Sequence, residues 1–290
     1  MRDSRTDPTI IPADRLPAGF AERIDDADAE SSAPPARPAA TTVPLRDAGG
    51  SLEVLLLQRN RATGFVPGAY VFPGGRVDDA DSDPALRERL IMPETEPLEP
   101  ALGYWVAAAR ELFEETGVLL ASRAGAASRM EALRDDLLED RITIGELLDA
   151  LQVRLDVSAL VYCAHWVTPL AEPRRYDTRF FLAELPRDAR VLFDTREMTS
   201  AVWIAPAAAL DRFEAGTLPM VFPTVKTLES LLPFDSLRAA TDAFRGARVP
   251  RILPRLVRRA GGVGIVIEEE VQPRDHGRER RDRTDANPEG

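Results

Sequence analysis

The stretch Arg110–Val118 reads R-E-L-F-E-E-T-G-V, and the rest of the chain can be interpreted around it. Its three glutamates, Glu111, Glu114 and Glu115, are spaced i, i+3 and i+4, so in a helix they lie on one side. The apolar residues fall on the other side, which predicts a helix with a core face and an acidic face. Gly117 is the residue type that ends helices in the left-handed conformation. Clustered carboxylates repel one another unless a cation lies among them, and such hard oxygen ligands favour Mg²⁺ or Mn²⁺.

A Pro-Gly-Gly turn at Pro73–Gly75 precedes the predicted helix and is followed by the acidic residue Asp81. Together with Arg110–Val118, these residues resemble the Nudix box, in which a glycine and an acid precede an R-E-x-x-E-E-x-G helix. The box normally has Glu where this chain has Asp81. Asp81 and Arg110 are 29 positions apart, a longer interval than is usual, so the resemblance implies an insertion at residues 82–102.

The resemblance to the Nudix family implies an α/β fold. This is the Nudix α/β/α sandwich with a mixed sheet, here with added helices and disordered termini. It also implies an enzyme that hydrolyses a diphosphate linkage with Mg²⁺ or Mn²⁺ as cofactor. In that interpretation Glu111, Glu114 and Glu115 are metal ligands and catalytic residues. Gly74 offers its backbone to the metal, and Arg110 orients the acids by ion pairing.

Glu197 precedes Trp203-Ile204-Ala205-Pro206, in a stretch that resembles the Nudix loop that often supplies the catalytic base. One interpretation makes Glu197 a catalytic residue that activates water or contacts metal. The other makes it an exposed loop acid, and the sequence leaves both open.

Two further stretches, Leu55–Gly75 and His165–Phe181, resemble the acyl-coenzyme A diphosphatase branch of the Nudix family. This resemblance implies that CoA or acyl-CoA is split into 3′-phosphoadenosine 5′-phosphate and (acyl-)phosphopantetheine. The phosphates of such a substrate need cationic partners, and the arginine guanidinium binds phosphate bidentately. The residues predicted to bind substrate are Arg59, Arg61, Arg175, Gly74 and Gly75.

Other interpretations of the same residues stay open at this stage. Arg174 and Arg175 could instead pair with Asp177 or Glu172 at the surface, and His165 is expected to have a hydrogen-bonded structural role. An ADP-ribose or nucleotide-sugar pyrophosphatase is the alternative function. A second alternative is a non-catalytic Nudix-like ligand sensor, which the three retained box glutamates disfavour.

The chain has 290 residues, a net charge of −11 and one cysteine, Cys163. The negative charge argues against a nucleic-acid partner, which would bind through phosphate attraction. A single cysteine excludes an intrachain disulfide. Because the sequence has neither a long apolar run nor a signal-peptide pattern, we expect no membrane partner and a cytoplasmic protein. The expected partner is a small-molecule diphosphate, with the CoA type favoured. The oligomeric state stays open, with a homodimer as one option.

The composition also predicts which parts of the chain form the folded domain and which are disordered. Residues 1–40 are rich in Asp, Ala and Pro and predict a disordered N-terminal segment, and residues 272–290 predict a disordered tail. The Nudix domain is then 41–271. It carries a helical addition at 122–157, where the apolar spacing predicts two helices. A later helix, interrupted by Pro219 and Pro223, is predicted at 217–232.

Overall fold

A computed structural model describes residues 10–12, 24, 33–60, 67–94, 100–122, 127–193, 195–259 and 262–267. The strands in these ranges are β1 (Ile10–Pro12), β2 (Arg37–Asp47), β3 (Leu52–Arg59), β4 (Tyr70–Val71), β5 (Gly74–Arg76), β6 (Leu90–Ile91), β7 (Leu155–Asp156), β8 (Leu160–Val167), β9 (Tyr176–Glu184), β10 (Met198–Ile204), β11 (Arg251–Ile252), β12 (Arg255–Arg259) and β13 (Gly262–Val266). The α-helices are α1 (Leu102–Thr116), α2 (Ala127–Leu138), α3 (Ile144–Leu151), α4 (Pro206–Glu214), α5 (Phe222–Leu231) and α6 (Leu237–Phe244).

The main sheet has the strand order β10-β3-β2-β9-β8-β11, with β4 beside β3 and β5 beside β2. Strand β2 pairs in parallel with β9 along residues 37–45. On its other side it pairs with two different strands, with β3 at residues 45–47 and with β5 at residues 39–41, both antiparallel. The Pro-Gly-Gly segment therefore runs into a strand of the sheet and is held against β2.

Helices cover both faces of this sheet. On one face α1, α2 and α3 share a core that includes Trp105, Leu112 and Phe113. On the other face α4, α5 and α6 pack over a second core. The apolar run at residues 54–57 of β3 is fully buried, as expected for a strand covered on both sides. The predicted α/β/α sandwich with a mixed sheet is confirmed.

The described part of the box insertion packs against the helical addition. Short 3₁₀-helices form at Asp79–Ser82 and Pro84–Arg89, and β6 then pairs in parallel with β7. The Arg89 guanidinium lies 2.7 Å from a carboxylate oxygen of Asp149 on α3. The insertion therefore continues onto the surface of α3 and β7.

The N-terminal part of the described chain differs from the prediction. Strand β1 pairs with β13, which also pairs with β12, and β2 begins at Arg37. The prediction that residues 1–40 are disordered is therefore wrong for β1 and for residues 37–40. Their pairing strands lie far away in sequence, so the local composition could not reveal them. The predicted tail, 272–290, lies outside the described residues.

Most helix predictions agree with the structure, and one is too long. The helix predicted at 217–232 begins only at Phe222, and Pro223 lies in its first turn, where a missing amide proton is tolerated. Helices α2 and α3 both form in the addition at 122–157. None of the described helices has the length and apolar character needed to cross a membrane.

Candidate active site

Helix α1 ends where the sequence predicts. Gly117 adopts a φ of +73°, and its amide donates to the carbonyl of Phe113 over 2.8 Å. This left-handed residue closes the helix directly after the turn that carries Glu114 and Glu115. The two adjacent glutamates are thus fixed in the last turn of a helix whose opposite face is buried in the core.

Arg110 lies at the centre of the acidic cluster. Its guanidinium contacts both carboxylate oxygens of Asp81 at 2.9 Å. Its Nη1 donates to Glu111 and to Glu114 at 3.0 Å each, and its Nη2 donates to the carbonyl of Arg76 at 2.8 Å. Because these contacts use the guanidinium within the protein, they favour the predicted orienting role over a contact with substrate.

Asp81 takes part in this cluster despite the insertion that follows it. Its side chain is fully buried and also accepts a hydrogen bond from the amide of Asp78 at 2.9 Å. The 3₁₀-turn that carries Asp81 packs tightly on α1, because a Cβ on Gly103 would lie 2.4 Å from the Ser82 hydroxyl. The inserted residues therefore follow this turn and do not displace Asp81 from the cluster.

Strand β5 approaches the glutamates from the sheet. The Gly74 amide donates to Oε2 of Glu115 over 3.1 Å. A Cβ on Gly75 would lie 2.3 Å from Oε1 of Glu111, and a Cβ on Gly74 would lie 2.5 Å from the carbonyl oxygen of Ala40. Both positions therefore need glycine, one for contact with a carboxylate and the other for contact with β2.

The two glutamates that face β5 resist ionisation. Burial raises the pKa of Glu111 to about 8, although the charge of Arg110 opposes this shift. Burial also holds the pKa of Glu115 well above its usual range, and the negative charge of Glu111 raises it further. A bound cation would stabilise both negative charges, which makes this pair a suitable metal-binding position.

Arg59 and Glu197 lie near Glu115. Strand β10 begins directly after Glu197, and the amide of Asn60 donates to the Glu197 carbonyl over 2.7 Å. Both side chains act on the pKa of Glu115, which the positive charge of Arg59 lowers and the negative charge of Glu197 raises. The buried Nε of Arg59 has no hydrogen-bond partner among the described residues. The structure thus brings both predicted residues to the site, whereas Arg61 lies outside the described residues.

Arg175 has different contacts from those predicted. Its side chain is buried, with Nε donating to the carbonyl of Thr168 at 3.1 Å and Nη1 to the carbonyl of Pro34 at 2.8 Å. Burial lowers the pKa of this guanidinium, and the nearby charge of Arg251 lowers it further. These contacts join the end of β8 to the segment before β2, so they favour a structural role for Arg175 over phosphate binding.

His165 has the hydrogen-bonded setting that the sequence suggested. Its Nε2 lies 2.8 Å from a carboxylate oxygen of Asp177, and the guanidinium of Arg179 contacts both groups. Arg179 also stacks on the ring of Tyr104, 4.8 Å from its centroid. Asp177 is therefore engaged by His165 and Arg179, and these four side chains form a polar contact between the sheet and the start of α1.

The structure divides the three predicted metal ligands. Glu111 and Glu115 face β5, while Arg110 pairs with Glu111 and Glu114, so Glu111 takes part in both contacts. Among the described residues, no three His, Cys, Asp or Glu side chains converge closely enough to enclose a metal as they stand. The pair Glu111 and Glu115 and the backbone of Gly74 nevertheless form a set of hard oxygen donors that fits Mg²⁺ or Mn²⁺.

Sequence patterns did not indicate two contacts at the end of α1. The guanidinium of Arg134, on α2, donates from Nε and Nη2 to the carbonyl of Glu114 at 2.8 and 2.6 Å. The amide of Leu192 donates to the carbonyl of Thr116 at 2.8 Å. Both involve backbone carbonyls, which any residue provides, so no spacing or residue type predicts them.

Comparison with known proteins agrees with this geometry. Residues 87–231 match a family model described as the NUDT19 Nudix domain. The acyl-coenzyme A diphosphatase NUDT19 of Gallus gallus is 28% identical, over 77% of this chain and 73% of its own length. The Homo sapiens protein of the same name is 28% identical, over 72% of this chain and 66% of its own length.

A solved structure gives the same result. A NUDIX hydrolase from Alicyclobacillus acidocaldarius has a TM-score of 0.63 and is 30% identical, covering 74% of this chain and 99% of its own. The family match includes α1 with its glutamates and the added helices α2 and α3. The chain therefore belongs to the Nudix hydrolase family, as a diphosphatase of its NUDT19 branch.

Proposed function

We propose that the protein cleaves the diphosphate of CoA or acyl-CoA in a reaction that depends on Mg²⁺ or Mn²⁺. The products are 3′-phosphoadenosine 5′-phosphate and (acyl-)phosphopantetheine. The observation that carries the proposal is the pair Glu111 and Glu115, held against the Gly74–Gly75 backbone. The CoA group is favoured because the chicken and human relatives are named acyl-coenzyme A diphosphatases.

The residues of the site have different proposed roles toward the metal and the substrate. A bound divalent cation would neutralise the diphosphate and lower the pKa of the attacking water. Glu111 and Glu115 would hold that cation, and Glu114 is the third acid of the set. Arg110 keeps the acids oriented through its paired contacts with Asp81.

Glu197 is the proposed base. Its exposed side chain lies at the start of β10, near enough to Glu115 to influence that residue's pKa. In the reaction the water oxygen bonds to phosphorus, the bridging P–O bond breaks, and Glu197 accepts the proton that the water loses. The leaving phosphate ester takes the electrons of the broken bond.

Arg59 is the proposed phosphate ligand. A buried donor without a partner costs about 1–3 kcal/mol, and the Nε of Arg59 is such a donor among the described residues. A phosphate oxygen next to the metal would satisfy it and would accept a charge-assisted hydrogen bond. Arg61 stays a predicted second contact to the same substrate.

A product assay by mass spectrometry tests the proposal. The purified protein with Mg²⁺ would receive CoA, acetyl-CoA, a long-chain acyl-CoA, dephospho-CoA, ADP-ribose or UDP-glucose in separate reactions. We expect release of 3′-phosphoadenosine 5′-phosphate from the CoA compounds. Turnover confined to ADP-ribose or UDP-glucose would contradict the CoA assignment, and no turnover at all would favour a ligand sensor.

A matched pair of arginine variants tests the phosphate contact. We expect Arg59→Met to raise the KM for CoA by about tenfold, the loss expected for one charge-assisted hydrogen bond. Arg212→Met, at an exposed position on α4, should leave KM unchanged. Equal KM values in the two variants would remove Arg59 from the substrate site.

A further inference from the structure

The last turn of α1 has a carbonyl that its own helix cannot satisfy. In a continuing helix the carbonyl of Glu114 would accept from the amide of Val118. The left-handed Gly117 turns the chain away, and the Val118 amide instead donates to the hydroxyl of Thr116 at 3.2 Å. The Glu114 carbonyl therefore needs a donor from elsewhere.

Arg134 provides that donor. Its guanidinium donates two hydrogen bonds, of 2.8 and 2.6 Å, to the Glu114 carbonyl. Its side chain is only 8% exposed. The buried Leu137 and the partly buried Met130 and Leu133, on the same helix, pack in the core that α1 shares. The guanidinium is thus held by packing in α2, and its rigid fork fixes the direction of the carbonyl.

This contact has a consequence for the metal-binding acids. The Glu114 carbonyl belongs to the planar peptide group that joins Glu114 to Glu115. Its orientation therefore sets the directions in which both side chains leave the backbone. The positive charge of Arg134 also lies at the negative end of the helix dipole, which favours the same arrangement. From another part of the chain, the Leu192 amide donates to the carbonyl of Thr116, the last residue of α1.

We propose that Arg134 is a positioning residue for the catalytic glutamates, and that the helical addition at 122–157 is part of the active-site structure. Arg134 acts through the backbone of α1 and touches neither metal nor substrate. The inference rests on the proposed function, because it assigns what holds the proposed metal ligand Glu115 in place.

Three variants separate this role from plain stabilisation. Arg134→Met keeps the length of the side chain and removes its donors, and Arg134→Lys keeps the charge and part of the donor capacity. Arg129→Met is the control, since Arg129 is exposed on the same helix. For each protein we would measure the Kd for Mn²⁺ from the electron paramagnetic resonance signal of free Mn²⁺, together with kcat, KM and Tm.

We expect Arg134→Met to weaken Mn²⁺ binding and to lower kcat, each by about 10- to 100-fold, the range known for partners of metal ligands. The KM for CoA should change by less than about twofold, because no substrate contact is lost. Arg134→Lys should lie between Arg134→Met and the wild type, and Arg129→Met should match the wild type.

A lower Tm with unchanged Mn²⁺ affinity and kcat, measured well below that Tm, would overturn the inference. If Arg134→Met does not fold, a wild-type Mn²⁺ Kd in folded Arg134→Lys would overturn it as well. Wild-type protein that binds no Mn²⁺ and cleaves no diphosphate would overturn the proposed function together with this inference. A wild type that binds and cleaves normally beside an unaffected Arg134→Met variant would overturn the inference alone.

Discussion

Arg110 explains how one helix can carry several carboxylates on one face. Burial opposes its positive charge, but hydrogen bonds with Asp81 and the charges of Glu111 and Glu114 outweigh burial and raise its pKa. The guanidinium therefore stays charged and compensates three acids at once. Arg110 does not contact Glu115 in any described hydrogen bond or ion pair, so the proposed cation would compensate the charge of Glu115.

The Asp81–Arg110 pair should be important for stability. Both side chains are buried, and removing one partner of such a pair typically costs about 3–5 kcal/mol. Because Arg110 retains two other acids, we expect Asp81→Asn to lower the free energy of unfolding by about 3 kcal/mol, at the low end of that range. Urea unfolding measures this, with the exposed neighbour Asp79→Asn as control. Equal stabilities for the two variants would show that the pair has no structural importance.

His165 makes stability depend on pH. Burial lowers the pKa of His165, and the charges of Arg179 and Arg251 add to this shift, which brings the pKa to about 4. The unfolded chain, with a histidine pKa near 6.5, then binds more protons than the folded chain between pH 4 and 6.5. The contribution of neutral His165 to the free energy of unfolding is therefore fully present above pH 6.5 and is lost as the pH falls toward 4.

We therefore expect the free energy of unfolding to fall from pH 7 to pH 5 more steeply in the wild type than in His165→Gln. His276→Gln, which removes the other histidine of the chain, is the comparison. Chemical unfolding at both pH values measures the difference. Identical slopes for the wild type and His165→Gln would rule out this histidine as the cause.

At the scale of elements, local sequence patterns predicted the features that depend on interactions between neighbouring residues. The 3.6-residue spacing and Gly117 predicted α1 and its end, and the box motif indicated Glu111, Glu115 and Gly75. Pairing between distant segments was not predictable. Strand β1 needs β13, and Arg134 reaches a carbonyl 20 positions away. These contacts depend on the folded arrangement, and no local residue pattern encodes them.

The contact between β5 and α1 gives a prediction that separates fold from site. A methyl group on Gly75 meets the flexible end of Glu111, whereas one on Gly74 meets the backbone of Ala40. We expect Gly75→Ala to keep Tm near the wild-type value and to lower kcat by about 10- to 100-fold, since a proposed metal ligand is displaced. Gly74→Ala should lower Tm instead. Thermal melts and kinetics check this, and a Gly75→Ala enzyme with full kcat would contradict it.

At the scale of the whole molecule, the balance of charge supports the proposed dependence on a metal. The chain has a net charge of −11, and a CoA-type diphosphate is itself strongly negative, so the two repel at long range. The sandwich buries α1 between sheet and addition, which places Glu115 near Arg59. One arginine beside several acids does not compensate the diphosphate, and the proposed divalent cation would supply the missing positive charge.

The most direct test of this conclusion is the rate at which the protein releases 3′-phosphoadenosine 5′-phosphate from CoA before and after metal removal. We predict no release above the Glu115→Gln background in EDTA, and recovery of the wild-type rate when Mg²⁺ or Mn²⁺ is restored in excess. Full release in EDTA, or equal recovery in Glu115→Gln, would contradict a metal-dependent site built on Glu115.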